Sequence, residues 1–546
     1  MALRFAEQAA EAYQFPLTIG HLLDAALATS ADREIVYRNQ ARLSYRQLRE
    51  RIGRLASLLA GLGAREGMTV AVMDWDSHRY LEAYFAVPMM GAVLQTVNVR
   101  LAPAQISYTL AHAQAQILLV HRDFFPMLET ILPQLPGIEA VIAITDGADV
   151  PLPSCAAGEY ETLIGAADPN FAFRDFDENA MATTFYTTGT TGEPKGVCFS
   201  HRQIVLLALV AKAPFGVTQP GGLGHGDVYM PLTPMFHVHA WGVPYIATLL
   251  GVKQVYPGRY DPQTILDLRE HEGVTFSHCV PTILRMVLDA AAKRNADLSG
   301  WRMKIGGSAL TASLYKEGRS RGMVLISGYG MSETAPTVAV ARAPAGDADE
   351  EAQIAAMTAS GIPIPLVSAR IVDSQMRELP HDGKAQGELV LRAPWLTTCY
   401  MGDAAASEAL WRGGWMHTQD VATIDPDGTI IIRDRLKDVI KTGGEWLSSL
   451  TLENLISRVE GVAEVAVVGV PHARWGERPI AVIRCTGAVP PTLEAINVPI
   501  SAAVARGEFS RYALLDGLEV VQEMPKTSVG KIDKKVLRAQ LSRTPP

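Results

Sequence analysis

Apolar positions along the first half of the chain alternate between helical and strand-like spacing. Leu48, Ile52, Leu55, Leu59 and Leu62 recur every three or four residues, which predicts one buried helix face. Further helical patterns cover 80–89 and 104–115. Short apolar runs typical of buried strands lie between and after these helices, at 70–73, 92–94, 117–120, 254–256, 275–277 and 324–326. This alternation predicts βαβ units and a mainly parallel sheet.

The pattern changes after about residue 365. Short strands there are broken by Asp, Gly and Pro turns such as 425–428, which favours an antiparallel or β-barrel-like sub-domain. A compact α/β unit follows, with a predicted helix at 452–459 and predicted strands at 465–468, 480–483 and 518–521. We therefore predict an α/β (α+β) fold with a large N-terminal domain, residues 1–435, and a small C-terminal domain, residues 436–546. The charged segment 434–438 marks the boundary.

Composition narrows the class of protein. A chain of 546 residues exceeds one ordinary core, and 48% hydrophobic with 19% charged residues is a globular composition. The net charge of −8 argues against a broad nucleic-acid-binding surface. No apolar run reaches the ~18 residues of a membrane span, although contact with a membrane surface stays open. Five scattered cysteines and no apolar leader predict reduced thiols in the cytoplasm.

A loop at 186–196 is the first candidate for chemistry. It combines glycines, hydroxyl side chains and Lys195, so its backbone N–H groups and its charge could hold a polyphosphate. It is not a Walker P-loop, because Pro194 precedes the lysine and Gly196 follows it. Judged by composition alone, a flexible surface loop is the alternative interpretation.

Six further segments with candidate functional residues follow this loop along the chain. They lie at 234–237, 328–334, 415–420, 434–438, 443–445 and 525–531. Together they resemble the motifs of the adenylate-forming superfamily, which contains acyl-CoA synthetases, peptide-synthetase adenylation domains and luciferases. Segments 235–245 and 434–446 are most similar to those of bacterial medium- and long-chain fatty acyl-CoA synthetases.

The resemblance implies an ATP-dependent acid–thiol ligase. Such an enzyme forms an acyl-AMP and pyrophosphate from a fatty acid and ATP, with Mg²⁺, and then acyl-CoA and AMP from coenzyme A. It also implies a C-terminal domain that rotates about Lys437 between the two half-reactions. Long-chain relatives form homodimers through the N-terminal domain, so we expect a homodimer by analogy.

The resemblance also assigns residues. Lys531, Glu333 and His237 are the predicted catalytic residues, and Glu333 and Thr187 the predicted metal ligands. Tyr329 would stack on adenine, and Asp420 and Arg435 would bind the ribose. A lysine between the acid and the α-phosphate suits this chemistry, because two anions must meet there. The residues predicted to bind ATP or CoA are Thr187, Thr188, Gly189, Thr190, Thr191, Lys195, Gly307, Ser308, Gly328, Tyr329, Gly330, Ser332, Asp420, Arg435, Lys437, Gly443, Gly444, Glu445 and Trp446.

An acyl tunnel is predicted beside these residues. Trp241, Val238 and Ala309 would line it, and Trp241 and Trp446 resemble gating tryptophans; core packing is the alternative for each tryptophan. Three positions depart from the family pattern: Ser332 for Thr, Gln419 for Gly and His239 for Asn. We interpret His239 as a core histidine. A zinc site built on His237 and His239 is disfavoured, because no second ligand pair follows.

Several functions stay open at this point. The acid could be a short thioether, aryl or alicyclic acid, since motifs do not define the pocket floor. The acyl group could pass to a carrier protein instead of CoA. A non-catalytic nucleotide-binding or acyl-sensing protein is the third alternative, but a sensor has no use for Lys531 at the point of attack.

Overall fold

Two large sheets form the N-terminal part of the molecule. A computed structural model of the protein describes residues 3–187, 193–216, 222–344, 346, 348–443, 445–487, 489–507, 509–528 and 530–541. Where the sequence predicted one mainly parallel sheet, the structure divides the strands between two. The cause is long-range pairing, because β1 near the N-terminus pairs in parallel with β11, more than 200 residues later (Ile35 opposite Gln254).

The first sheet has seven strands in the order β7-β6-β5-β3-β4-β8-β9. Its neighbours are parallel except for the antiparallel pair β8 and β9. The strands are β3 (Thr69–Met73), β4 (Val93–Thr96), β5 (Ala115–His121), β6 (Ala140–Ile144), β7 (Ala156–Glu159), β8 (Met181–Thr187) and β9 (Lys195–Ser200).

The second sheet has nine strands in the order β16-β15-β14-β13-β12-β10-β11-β1-β2. Only its edges, at β2 and at β15 with β16, are antiparallel. The strands are β1 (Glu34–Tyr37), β2 (Ala41–Ser44), β10 (Val228–Pro231), β11 (Lys253–Tyr256), β12 (Phe276–Cys279), β13 (Arg302–Ile305), β14 (Val324–Tyr329), β15 (Ala339–Val340) and β16 (Ile362–Pro363).

Helices connect the parallel strands, as the alternation predicted. The helix α2 begins at a capping box of Ser44 and Gln47, and it buries Leu48, Ile52 and Leu59 of the predicted face. The helices of this part are α1 (Gly20–Ser30), α2 (Tyr45–Gly61), α3 (His78–Met89), α4 (Pro103–His112), α5 (Phe125–Ile131), α6 (Tyr160–Ala166), α7 (His201–Gly216), the single turn α8 (Val238–Trp241), α9 (Val243–Leu249), α10 (Pro262–Glu272), α11 (Pro281–Arg294), α12 (Ala312–Ser320) and α13 (Glu350–Thr358).

A four-stranded antiparallel sheet follows. It confirms the antiparallel sub-domain that the sequence predicted after about residue 365. Its strand order is β17-β18-β19-β20. The helix α14 (Ala404–Leu410) connects β18 to β19. The strands are β17 (Ser368–Val372), β18 (Gly387–Arg392), β19 (Met416–Ile424) and β20 (Ile430–Arg435).

The C-terminal part has a separate mixed sheet and its own core. The largest hydrophobic cluster runs from Ile19 to Ile430, and the next one from Ile440 to Leu515. The predicted α/β class, with a large and a small domain, is confirmed. The elements are β21 (Ile440–Thr442), β22 (Glu445–Leu447), α15 (Ser449–Ile456), β23 (Val462–His472), β24 (Gly476–Cys485), α16 (Leu493–Ala505), β25 (Gly517–Val520) and α17 (Lys534–Leu541).

Among the described residues, no helix combines the length and the apolar character needed to cross a membrane. The five cysteines are all described, and each is a free thiol.

Candidate active site

The C-terminal segment that carries Lys531 folds into a tight loop. Lys526 and Ile532 pair across its base. Inside the loop, the amide of Thr527 donates to the carbonyl oxygen of Lys531 across 2.7 Å, and the amide of Gly530 donates to the carbonyl of Thr527 across 2.9 Å. These bonds fix the backbone, so the loop presents the Lys531 side chain in one direction.

That side chain reaches the N-terminal domain beside Gly307. A Cβ atom at Gly307 would lie 3.3 Å from Cε of Lys531, and the φ angle of +79° at Gly307 also favours glycine. Burial and the charge of Arg435 lower the pKa of Lys531 to about 8, while the carboxylates of Asp420 and Glu333 act in the opposite direction. The structure therefore brings these predicted residues to one centre.

Asp420 and Tyr329 meet where two sheets approach each other. The Tyr329 hydroxyl donates to Oδ2 of Asp420 across 2.6 Å, and Nε of Arg435 lies 3.3 Å from Oδ1. Asp420 is 4% exposed and pairs with Arg435 across β19 and β20. Burial raises the pKa of Asp420, and the Arg435 charge lowers it. A buried carboxylate with two oxygens suits the two hydroxyls of a ribose.

The departure at Gln419 has a structural account. Gln419 has a φ of +61°, the left-handed region in which glycine is usual. Its backbone amide and its side-chain amide both donate to Oε1 of Glu388, each across 3.1 Å. These two bonds compensate for the strain, so the geometry next to Asp420 is kept without glycine.

Glu333 lies in a buried turn opposite Tyr400. The turn spans Ser332–Thr334, and Oε1 of Glu333 accepts a hydrogen bond from the Tyr400 hydroxyl across 2.7 Å. Nζ of Lys195 lies 4.7 Å from the centroid of the Tyr400 ring. Thr187 pairs with Lys195 across β8 and β9. Thr188, Gly189, Thr190 and Thr191 lie outside the described residues.

A carboxylate in this position fits a magnesium ion. Mg²⁺ prefers oxygen ligands and is commonly held by one or two carboxylates together with substrate phosphates. Glu333 is 6% exposed and offers such oxygens near the two lysines, Lys195 and Lys531. Glu333 would be the protein ligand, and the ion would supply positive charge to the phosphates.

Close packing surrounds two of the other predicted nucleotide residues, Gly328 and Gly330. A side chain at Gly330 would collide with the carbonyl oxygen of Pro336, and one at Gly328 would meet Cε of Lys304 at 2.5 Å. Ser308 and Ala309 are exposed directly after Gly307.

His237 precedes a left-handed turn. Val238, His239, Ala240 and Trp241 all have φ between +47° and +59°, a conformation that L-residues avoid in succession. Such strain concentrates at functional sites. Burial, with the charges of Lys531 and Arg100, lowers the pKa of His237 to about 3, so this histidine is neutral.

The turn directs Trp241 toward the lysine site. The edge of its ring lies 3.1 Å from where a Cβ of Gly306 would be, and the ring is 5.1 Å from that of His278. Trp241 is 7% exposed and Val238 1% exposed. Trp241 thus lies next to Gly306, which precedes Gly307 in the chain, while Ala309 is exposed two residues after Gly307.

The predicted CoA-binding segment lies within the C-terminal domain. Gly443 has a φ of +60°, and a Cβ there would meet the ring of Tyr512 at 2.8 Å. Glu445 and Trp446 belong to β22, and Gly444 is outside the described residues. Lys437 follows β20, and partial desolvation of its ammonium group, with the charges of Arg435 and Arg538, lowers its pKa to about 8. Gly443 therefore packs against its own domain in this arrangement.

Sequence reasoning missed Tyr400. Tyr400 lies outside every recognised motif and 67 residues from Glu333 in the sequence. The two residues meet because the chain just before Tyr400 is bonded to Glu333: the amide of Thr397 donates to the Glu333 carbonyl oxygen across 2.9 Å. No local pattern predicts such a long-range contact.

Family comparison agrees with this geometry. Residues 23–401 match the AMP-binding enzyme family, and residues 451–531 match the AMP-binding enzyme C-terminal domain. The chain belongs to the AMP-binding enzyme family. The predicted resemblance to adenylate-forming enzymes is confirmed.

Individual relatives cover nearly the whole chain. It is 39% identical over 535 residues to a long-chain-fatty-acid–CoA ligase of Thermus thermophilus, covering 96% of this chain and 95% of the relative. It is 34% identical to a medium-chain-fatty-acid–CoA ligase of Ectopseudomonas oleovorans, covering 96% and 95%. The predicted enzyme class, an AMP-forming acyl-CoA synthetase, is confirmed.

A solved structure supports the fold alone. The anthranilate CoA ligase AuaEII, in complex with anthranoyl-AMP, superposes with a TM-score of 0.84 at 24% identity, covering 96% of this chain and 98% of that one.

Proposed function

We propose that this chain joins medium- to long-chain fatty acids to coenzyme A, through an acyl-adenylate. The observation that carries the adenylation step is the position of Lys531 against Gly307, where Asp420 and Glu333 act on its charge. The acyl chain length rests on the similarity to the two fatty-acid–CoA ligases. A lysine from one domain meets the carboxylates of the other there. This arrangement suits the attack of one anion on another.

In the first half-reaction, a carboxylate oxygen of the acid attacks the α-phosphorus of ATP, and the bond to pyrophosphate breaks. The Lys531 ammonium lies between the two anions and stabilises the charge that develops. Asp420, oriented by Tyr329 and Arg435, binds the ribose hydroxyls. Bound at Glu333, Mg²⁺ would neutralise charge on the leaving pyrophosphate.

The second half-reaction transfers the acyl group to the thiol of CoA and releases AMP. An acyl-AMP is a reactive anhydride, so the thiol needs chiefly access and position. We place the domain boundary at 435/436, with Lys437 as the pivot, and the separate cores that end at Ile430 and begin at Ile440 support it. Rotation would withdraw Lys531 and bring the segment at 443–446 to the site.

A comparison of acids of different chain length tests the proposal. Purified protein is assayed for pyrophosphate release and thioester formation with straight-chain acids from short to long, with and without CoA. We expect a maximum at medium or long chains, thioester only with CoA, and loss of adenylation in Lys531→Ala. If neither wild type nor Lys531→Ala released pyrophosphate with any acid, the enzyme assignment would be refuted.

A second candidate substrate class is a short thioether acid. Two relatives, 34% and 36% identical, are 3-methylmercaptopropionyl-CoA ligases of Ruegeria species. The same assay therefore includes 3-methylthiopropionate and an aryl acid. If only one of these acids were activated, the proposed mechanism would stand, and that acid would replace the fatty acid as the proposed substrate. Adenylation without any free acyl-CoA would favour transfer to a carrier protein.

The proposal includes a homodimer that works in the cytoplasm. The homodimer rests on the resemblance to long-chain relatives, and the cytoplasmic location rests on the five scattered free thiols. Light scattering on the purified chain tests the dimer, since a mass near 59 kDa instead of twice that value would contradict it.

A further inference from the structure

Three side chains of the N-terminal domain hold the loop that carries Lys531. Nδ2 of Asn98 donates to Oγ of Ser528 across 2.9 Å, and the Thr282 hydroxyl donates to the carbonyl oxygen of Gly530 across 3.0 Å. The Arg100 guanidinium lies 3.5 Å from the Ser528 carbonyl oxygen. We call Asn98, Arg100 and Thr282 the lysine-loop latch.

Contacts within the N-terminal domain orient two of the latch side chains, those of Asn98 and Arg100. Oδ1 of Asn98 accepts the backbone amide of Arg100 across 3.1 Å, which leaves Nδ2 as the donor toward Ser528. Asn98 is 7% exposed, so its amide has little freedom to turn. The Arg100 guanidinium lies over the rings of Phe236 and Tyr260, at 5.8 and 6.0 Å from their centroids.

A buried carboxyl group holds the Tyr260 ring and the backbone next to Phe236. Asp76 is 2% exposed and accepts the Met235 amide across 2.8 Å and the Tyr260 hydroxyl across 2.6 Å. The carbonyl oxygen of Phe236 accepts the Thr96 hydroxyl across 3.1 Å. The latch thus belongs to the same rigid framework as His237, next in the chain to Phe236.

We propose that Asn98, Arg100 and Thr282 are positioning residues that hold Lys531 at the reacting centre during adenylation and release it for thioester formation. The inference rests on the proposed adenylating function. Two of the bonds end on Ser528 and one on Gly530, the residue next to Lys531. Loss of one of these hydrogen bonds lets Lys531 move away from Gly307 and slows adenylation. The rate of thioester formation is unchanged, because that step does not use Lys531.

Half-reaction kinetics of Asn98→Ala and Thr282→Val test this proposal. Acyl-AMP formation is measured in a single turnover, and thioester formation is measured separately from synthetic acyl-AMP and CoA. We expect each variant to slow adenylation by about 5- to 10-fold, the usual worth of one hydrogen bond, and to leave the thioester step at the wild-type rate. Thr130→Val is the matched control, because that exposed hydroxyl bonds to the Pro126 carbonyl within its own helix.

The same substitutions in a Lys531→Ala background separate positioning from general damage. The residual rate of acyl-AMP formation in Lys531→Ala, followed in a long single turnover with enzyme in excess, should not fall further when Asn98→Ala or Thr282→Val is added. An undiminished loss in that background, an equal fall in both half-reactions, or unchanged adenylation would overturn the latch. Failure of the proposed function looks different, since wild type itself would then form no acyl-AMP from any acid.

Discussion

The Tyr400 hydroxyl donates a hydrogen bond to Oε1 of Glu333 across 2.7 Å. The Tyr400 ring also lies 4.7 Å from Nζ of Lys195, so one tyrosine connects the two segments predicted to handle phosphate and metal. Burial and the Glu333 charge raise the pKa of Tyr400, which keeps the hydroxyl protonated and donating. Tyr400 therefore orients a carboxylate that the sequence motifs assign to Mg²⁺.

Tyr400→Phe removes this bond and keeps the ring. Because Glu333 then loses a fixed orientation, we expect the Mg²⁺ concentration for half-maximal adenylation to rise by about tenfold, the value of one hydrogen bond to a charged group. Pyrophosphate release is measured against Mg²⁺ at saturating ATP and acid. Tyr13→Phe is the matched control, since the exposed Tyr13 hydroxyl also donates to a carboxylate, that of Asp175. An unchanged Mg²⁺ dependence would remove Tyr400 from the site.

The pKa of Lys531 predicts an alkaline limit to adenylation. Burial and the Arg435 charge lower this pKa to about 8, so in the free enzyme the ammonium form is present below pH 8 and is lost above it. We expect kcat/KM for acyl-AMP formation to fall toward tenfold per pH unit above about 8, because this ratio reports the free enzyme. In Lys531→Arg the fall should vanish, since a guanidinium stays charged. A wild-type plateau that continues to pH 10 would contradict the buried position.

Asp420 should determine recognition of the ribose. In Asp420→Ala we expect the KM for ATP to rise by about 10- to 100-fold, the value of charge-assisted hydrogen bonds. Wild type should discriminate against 2′-deoxy-ATP, and the variant should treat both nucleotides alike. Asp427→Ala is the control, because this exposed aspartate accepts the Thr429 amide in a turn after β19. Retained discrimination in Asp420→Ala would assign the ribose elsewhere.

Local pattern predicted the elements well and their pairing poorly. The spacing of Leu48, Ile52 and Leu59 predicted α2, because burial of a helix face leaves a periodic trace. The pairing of Ile35 with Gln254 leaves none, since the partners are far apart in sequence. The two-sheet division therefore had to come from the structure.

The site shows the same division. Motifs predicted Lys531, Asp420 and Tyr329, which the structure brings together. Tyr400 and Asn98 act through single long-range bonds, so no motif marked them. The left-handed turn that begins at Val238 was equally hidden, because ordinary side chains occupy a conformation that sequence patterns associate with glycine.

Trp241 should control acyl chain length. Its buried ring lies against Gly306 and next to His278, close to the Lys531 site, so its removal would lengthen the acyl pocket. In Trp241→Ala we expect the ratio of kcat/KM for long over medium straight-chain acids to rise by about tenfold or more, since one methylene in an apolar pocket changes this ratio by a comparable amount. An unchanged chain-length profile would make Trp241 a core residue only.

His239 should make the folded protein sensitive to acid. It is 1% exposed among the rings of Tyr84, Phe185 and Tyr245, and burial lowers its pKa to about 3. The unfolded chain has the ordinary pKa of about 6.5, so between these values the unfolded state binds one more proton and stability falls as pH falls.

The comparison with His239→Asn isolates this contribution, and asparagine tolerates the φ of +52° at this position. We expect the free energy of unfolding of wild type to fall by about 2 kcal/mol more than that of the variant between pH 7 and pH 5, which follows from about 1.4 kcal/mol per pH unit for one proton. Urea unfolding followed by tryptophan fluorescence at both pH values measures the difference. Parallel pH dependence in the two proteins would mean that the imidazole takes up its proton in the folded state.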